Sequence, residues 1–163
     1  MDMRSNIEVA APAAEVWHWV GERFGDLADW APGLLSSHLE GELGVGAERV
    51  CLSEGFGPFA AGTVRERLIA FDRATMRLTY EATEGLPSWM PTAMNRWAVV
   101  PIDASRSRIE MHATVHLRGI LRLLSPLMWL WGRQMSRKVV SDLTHAIERS
   151  ERRLTSAGAT PGT

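Results

Sequence analysis

Apolar residues recur every three or four positions through the last third of the chain, from residue 119 to residue 154. This spacing places them along one stripe of a helix, because an α-helix turns once every ~3.6 residues. The stripe consists of Ile120, Leu124, Leu127, Trp131, Met135, Val139, Leu143 and Ile147. A single helix of that length needs an equally long apolar partner, so the pattern predicts a sheet that packs along it.

The chain before this helix alternates between apolar and polar residues in short segments, which is typical of antiparallel strands. Turn residues divide the segments, and strands joined by short loops are usually antiparallel neighbours. The predicted strands cover residues 35–42, 47–54, 62–71, 76–83, 93–102 and 108–117. A first strand at residues 7–9 precedes two short helical segments, at residues 13–20 and 24–30, which end near Gly21 and Pro32. The sequence therefore predicts an α+β fold in which a curved sheet closes on one terminal helix.

Composition narrows the class of protein further. With 163 residues, 45% of them hydrophobic and 23% charged, the chain has the size and composition of one globular domain, which we expect to span residues 1–154. Residues 155–163 are polar or small and are expected to form a disordered tail. A formal net charge of −1 argues against a nucleic-acid partner. Cys51 is the only cysteine, which excludes an intrachain disulfide. Because the N-terminus also has no apolar signal segment, we expect the protein to be in the cytoplasm.

The predicted order of one strand, two short helices, six strands and a long helix resembles the START/Bet v 1-like superfamily of helix-grip domains. Four segments are similar to its bacterial polyketide cyclase/dehydrase and lipid-transport branch, namely Val16-Trp17, LADWAP at 27–32, GVGAER at 44–49 and GTVRERL at 62–68. The resemblance spans residues 6–152. It implies a seven-stranded antiparallel sheet wrapped around the C-terminal helix, with a cavity between them that binds apolar or aromatic molecules.

Three residues are candidates for chemistry in such a cavity, since cyclisation and dehydration need a base beside a carbonyl and a donor for the developing enolate oxygen. His38 is the candidate base, because the resemblance implies a cavity-facing polar residue there; the alternative is a position in water on the outer face. Arg67 would bind a carboxylate or enolate if its side of the strand faces inward, and this is the orientation we expect. The alternative is that Arg67 lies in a solvated ladder of Arg and Glu side chains on neighbouring strands. The Tyr80 hydroxyl would contact the ligand or pair with another protein group.

Six further residues are candidates for ligand binding. The resemblance places the side of the strand that carries Asn95 and Trp97 inward, so Trp97 would form a flat wall and Asn95 a neutral polar contact; the alternative for Trp97 is packing in the core. Trp30 would lie at the cavity mouth. Met111 lies on the apolar side of the last predicted strand, and Trp131 and Met135 lie on the helix stripe.

No cofactor or metal is expected. His112 and His116 share the polar side of the last strand, but the apolar residues between them occupy the other side and no third ligand is recognisable.

The predicted helix is apolar nearly all round over residues 120–131, whereas a helix held in one curved sheet has a polar outer side. This surface would bind an acyl carrier protein or a membrane, form a homodimer interface, or lie under the loop at residues 85–91. The main expectation is a cavity that holds a polyketide-like or lipid-like molecule. Either the domain catalyses cyclisation or dehydration of that molecule, or it is a carrier or sensor without chemistry.

Overall fold

The computed structural model describes residues 1–31, 33–55, 60–119, 138, 141–147 and 149. Seven strands account for most of them: β1 (Asp2–Val9), β2 (Leu34–Glu40), β3 (Glu48–Ser53), β4 (Gly62–Asp72), β5 (Arg77–Glu84), β6 (Thr92–Pro101) and β7 (Ser107–His116). Each strand predicted from alternation is present, with its bounds within a few residues of those expected. The first strand is longer than predicted, because residues 2–6 also pair with β7.

The strands form one antiparallel sheet in the order β1-β7-β6-β5-β4-β3-β2. Sequential strands from β2 to β7 are neighbours, as short turns require, and β1 closes the other edge by pairing with β7. The sheet is curved, and the predicted helix-grip class of fold is confirmed.

One face of the sheet carries the hydrophobic core, and we call it the inner face. Leu68, Leu78, Val99 and Ile109 project from it, and none of them is more than 2% exposed. Residues directly opposite one another in an antiparallel pair project from the same face of the sheet. Starting from these four positions, the register therefore shows which side chains of every strand project from the inner face. The opposite side is the outer face.

Three short helical segments connect β1 to β2 and cover one end of the inner face. They are helix α1 (Ala13–Trp17), a π-helical turn (His18–Glu22) and a 3-10 helix (Phe24–Asp29). Trp17 stacks on Phe71 of β4 with ring centroids 5.5 Å apart. A Cβ atom at Gly21 would lie 2.5 Å from the Trp17 ring, so glycine is required for this close packing. The two predicted short helices are thus present, with a π-helical turn in place of the end of the first.

Residues 141–147 are helical, and Leu143, Ala146 and Ile147 pack in the core with the inner face of the sheet. This segment agrees with the predicted stripe. The rest of the predicted long helix, including Trp131, Met135 and the apolar surface at residues 120–131, lies outside the described residues, as does the tail at 155–163. Within the part of the chain that the structure describes, no helix is long and apolar enough to cross a membrane.

The expectation that Arg67 faces inward is wrong. Arg67 projects from the outer face of β4 and its Nη2 lies 2.7 Å from Glu48 Oε1, in the Arg/Glu ladder that was the alternative. The sequence pattern was ambiguous because β4 has a register shift between Leu68 and Ala70. In a regular strand Phe71 would lie on the same side as Arg67, because the two are an even number of residues apart. The register shift reverses the alternation of side chains, so Phe71 turns inward.

Candidate functional site

A buried ion pair lies on the inner face between β3 and β4. Arg49 and Glu66 are directly opposite in the register, and their side chains are 4% and 16% exposed. Glu66 Oε2 accepts hydrogen bonds from Arg49 Nε at 2.8 Å and from Arg49 Nη2 at 2.5 Å. Burying two charges costs several kcal/mol per ion unless they are paired and hydrogen-bonded, as these are.

The 3-10 helix completes the surroundings of the guanidinium. Arg49 Nη1 donates to the Phe24 carbonyl at 3.0 Å. Arg49 Cζ lies 4.0 Å from the centroid of the Phe24 ring and 4.8 Å from that of Tyr80, both within the range of cation–π attraction. Burial alone lowers the pKa of Arg49, but Glu66, Tyr80 and Cys51 together raise it above its usual value, so the guanidinium remains charged.

Tyr80 and Cys51 border the ion pair and remain protonated near neutral pH. Burial, reinforced by the Glu66 charge, raises the pKa of Tyr80 to about 12, although the positive charge of Arg49 opposes the shift. Burial also raises the pKa of the Cys51 thiol to about 11. The Cys51 Sγ atom lies 3.9 Å from Glu66 Oε2. Tyr80 therefore offers a neutral hydroxyl, and Cys51 is an unreactive thiol.

The neighbouring strands extend this polar centre with apolar and neutral side chains. Tyr80 pairs with Asn95 and Leu78 pairs with Trp97 in the register of β5 and β6, and Trp97 pairs with Met111 of β7. All of these residues therefore project from the inner face. Trp97 and Met111 pack against the core while remaining partly accessible. The structure thus brings together Tyr80, Asn95, Trp97 and Met111, four of the residues selected from the sequence.

His38 lies elsewhere. It projects from the outer face of β2, its side chain is 60% exposed, and its Nε2 atom lies 3.7 Å from Glu40 Oε1. Its neighbours Ser37 and Leu39 point the other way: Ser37 Oγ accepts a hydrogen bond from the Ala28 amide at 2.7 Å, and Leu39 packs against the core. His38 and Arg67 are therefore on the side of the sheet opposite to the Arg49–Glu66 pair.

Trp30 lies in the core where the 3-10 helix ends, and it is 7% exposed. Its indole Nε1 has no hydrogen-bond partner among the described residues. Trp30 also lines a groove of about 410 Å³ together with Asp29, Asp142 and Arg149. This places Trp30 between the short helices and the C-terminal helical segment.

The sequence reasoning missed Arg49, Glu66 and Phe24. A signal was present, because Arg49, Cys51 and Ser53 alternate along β3, and a strand face that carries a cysteine is usually a buried one. All three side chains are buried in the structure. The partner of Arg49 could not be identified in this way, since it depends on the register of β3 against β4.

No group of three or more metal-ligating side chains occurs within the described residues. His112 Nε2 lies 3.1 Å from Asp2 Oδ1 on the outer face, and His116 is exposed at the end of β7. On the inner face of the described strands, Glu66 is the one carboxylate. The site combines a held carboxylate, a neutral phenol and a broad apolar wall, which suits a mostly apolar ligand with one polar group.

The sequence profile of the family described as "Polyketide cyclase / dehydrase and lipid transport" matches residues 1–148. The chain belongs to this family. The resemblance inferred from its local segments is therefore confirmed. None of the curated proteins compared with this chain matches it.

Solved structures confirm the fold. A solution structure of a Thermobifida fusca protein has 27% identity and a TM-score of 0.70, with 91% of this chain and 93% of that chain covered. The Zhui aromatase/cyclase from a Streptomyces species has 21% identity and a TM-score of 0.68, with 98% and 99% covered. Norcoclaurine synthase from Thalictrum flavum, solved with dopamine and hydroxybenzaldehyde, has 21% identity and a TM-score of 0.61, with 88% and 85% covered.

Proposed function

We propose that this domain binds a largely apolar, aromatic small molecule on the inner face of the sheet, with the polar group of the ligand directed at Arg49, Glu66 and Tyr80. The observation that carries the proposal is the buried Arg49–Glu66 pair, which has Tyr80 against its guanidinium and lies on the same face of the sheet as Trp97. A charge pair in a core rarely adds stability over apolar residues of the same size, so its presence beside a partly accessible aromatic wall suggests a binding role.

The chemistry of the site defines the class of ligand. Trp97 offers a flat surface for stacking, and Met111 beside it adapts to ligands of different shape. The Arg49–Glu66 pair and the Tyr80 hydroxyl offer donors and an acceptor, so a phenol or carbonyl on the ligand would be hydrogen-bonded. The family description and the aromatic molecules bound to norcoclaurine synthase support this class, although at 21% identity that structure is a relative in fold alone.

Binding should be visible as saturable quenching of tryptophan fluorescence on titration with naringenin, palmitate or an anthraquinone polyketide. We expect Trp97→Phe to reduce the quenching and to weaken the affinity several-fold, because the stacking surface shrinks. Trp19→Phe is the matched control, since Trp19 lies on the π-helical turn beneath Arg23 rather than on the sheet. Quenching that is absent for every ligand, or lost equally in both variants, would contradict the proposal.

A second candidate function is cyclisation or dehydration of a poly-carbonyl ligand. It is favoured by the presence of a carboxylate and a protonated phenol on the same face, which would remove a proton next to a carbonyl and hydrogen-bond to the enolate oxygen, respectively. Glu66 Oε2 already accepts two hydrogen bonds from Arg49, at 2.8 and 2.5 Å, so this oxygen is engaged by the guanidinium rather than directed at a ligand. Non-catalytic binding is therefore the better supported of the two functions.

Glu66→Gln and Tyr80→Phe separate the two functions. If the domain is a cyclase, each variant should lose about 10²- to 10⁴-fold in kcat on a poly-β-carbonyl thioester, a much larger loss than the several-fold weakening of ligand binding that removal of one hydrogen-bonding group causes. His38→Ala is the control and should leave turnover unchanged, because His38 projects from the opposite face. No turnover by the wild-type protein, with ligand binding intact, would leave the carrier or sensor function.

A further inference from the structure

The arginines on the outer face of the sheet fall into two groups. Those of the first group are paired: Arg65 Nη1 lies 2.8 Å from Glu40 Oε2, Arg67 Nη2 lies 2.7 Å from Glu48 Oε1, and Arg108 Nη2 lies 3.2 Å from Glu8 Oε1. The second group is Arg4, Arg77 and Arg96, and none of these forms an ion pair with any described residue. Asp72 is opposite Arg77 in the register, but its carboxylate accepts hydrogen bonds from Thr75 and the turn backbone.

The three unpaired arginines converge on one groove of about 420 Å³ in the outer face. We call it the arginine groove; the residues of its lining that matter here are Arg4, Arg77, Arg96, Ala98, Glu110 and His112. It exists because Ala98, the small residue in its centre, is flanked by long side chains on β5, β6 and β7. Its volume is within the ~300–1,000 Å³ typical of small-molecule sites.

The register explains why positive charge accumulates there. Arg4, His112 and Arg96 are consecutive partners across β1, β7 and β6, and Arg77 is the partner of Ala98 on β5. Neighbouring strands are about 4.8 Å apart, so the backbones of Arg4 and Arg96 are only about 10 Å apart. Like charges on neighbouring strands repel each other. Glu110 is the one carboxylate in the lining, so a bound anion would relieve this repulsion.

We propose that the arginine groove binds a phosphate-bearing small molecule. Guanidinium groups have a planar fork of donors that matches the oxygens of phosphate, and several such groups around one groove select for a multiply charged oxyanion. The register directs the side chains of the three arginines to the outer face and those of Glu66 and Trp97 to the inner face, while the strand positions of Leu78, Trp97 and Met111 also border the groove. The proposal is therefore independent of the function assigned to the inner face, and either can fail without the other.

The test is isothermal titration of the full-length protein with inorganic pyrophosphate at low ionic strength. We expect saturable binding at one site, weakened about tenfold in Arg96→Gln and in Arg4→Gln, because each variant removes charged hydrogen bonds to the anion. Arg67→Gln is the matched control, since it removes the same charge from the same face of the sheet but from a paired arginine. It should weaken binding less than twofold.

All three substitutions are at exposed positions, and far-UV circular dichroism verifies that the variants are folded. Failure of pyrophosphate to saturate the protein would overturn the proposal. Equal weakening by Arg67→Gln would also overturn it, because the attraction would then be one of net charge alone. In a parallel sedimentation experiment, vesicles of phosphatidylglycerol and phosphatidylcholine should not pellet the protein; pelleting without pyrophosphate binding would assign the arginines to a lipid surface instead.

Discussion

Glu66→Leu is expected to lower the free energy of unfolding by about 3–5 kcal/mol, the usual cost of leaving one member of a buried ion pair uncompensated. Arg49 cannot move its guanidinium into water, because the side chain is 4% exposed and is also bonded to the Phe24 carbonyl. Urea denaturation followed by circular dichroism measures the change as a shift of the midpoint at constant slope.

Two further variants make this result specific. In the double variant Arg49→Met/Glu66→Leu no charge remains buried, so its stability should recover most of the loss. The remaining loss should be about 1 kcal/mol, because the Phe24 carbonyl no longer receives a hydrogen bond from Arg49. Glu48→Leu removes a carboxylate from the outer-face ladder and should cost less than about 1 kcal/mol, as solvated pairs do. The account of the site is wrong if Glu66→Leu costs no more than Glu48→Leu.

Gly85→Ala is expected to lower the free energy of unfolding by about 2–5 kcal/mol, for two reasons that add. Gly85, between β5 and β6, has φ +84°, which costs an L-residue about 1–2 kcal/mol. A Cβ atom there would also collide with the Thr63 carbonyl oxygen and lie 2.9 Å from the Val64 Cα, both of which are backbone atoms in β4. Such overpacking usually costs about 1–3 kcal/mol.

Gly41→Ala is the matched control for this experiment. Gly41 has nearly the same backbone conformation, with φ +86°, but a Cβ atom there would meet nothing within 4 Å. It should therefore show the conformational cost alone, about 1–2 kcal/mol, in the same urea titration. Equal losses for the two variants would mean that the loop after β5 moves away from β4 at little cost.

Most of the architecture could be predicted from the sequence, because strands and turns are encoded locally. Alternation over β7 placed Ile109, Met111 and Val115 on one side, and the structure has them on the inner face. The same reading succeeded for Trp97, although it was the resemblance that supplied the direction. The prediction failed for Arg67 because β4 contains a register shift. Strict alternation puts Phe71 on the same side as Arg67, whereas the shift turns Phe71 to the inner face. The apolar side of this strand could therefore not be recognised from the sequence.

The candidate site was predictable only in part. Asn95 and Trp97 were selected because the resemblance placed their side of the strand inward, and Tyr80 was selected because its hydroxyl would contact a ligand or another protein group. Arg49 and Glu66 were not, since each looks like an ordinary surface charge in its own strand. Their functions as binding residues, like those of the other site residues, stay predictions until the experiments above are done.

The sequence by itself determined the number, order and approximate bounds of the strands, the class of fold and the family, because hydrophobic period, turn residues and local motifs are properties of short segments. The tertiary structure alone decided which side of β2, β3 and β4 faces the core and which charges meet. Alternation divides a strand into two sides without saying which is buried, and the partner of a charged side chain comes from another strand through the register. That is why His38 and Arg67 lie outside, whereas Arg49 and Glu66 form the polar centre of the inner face.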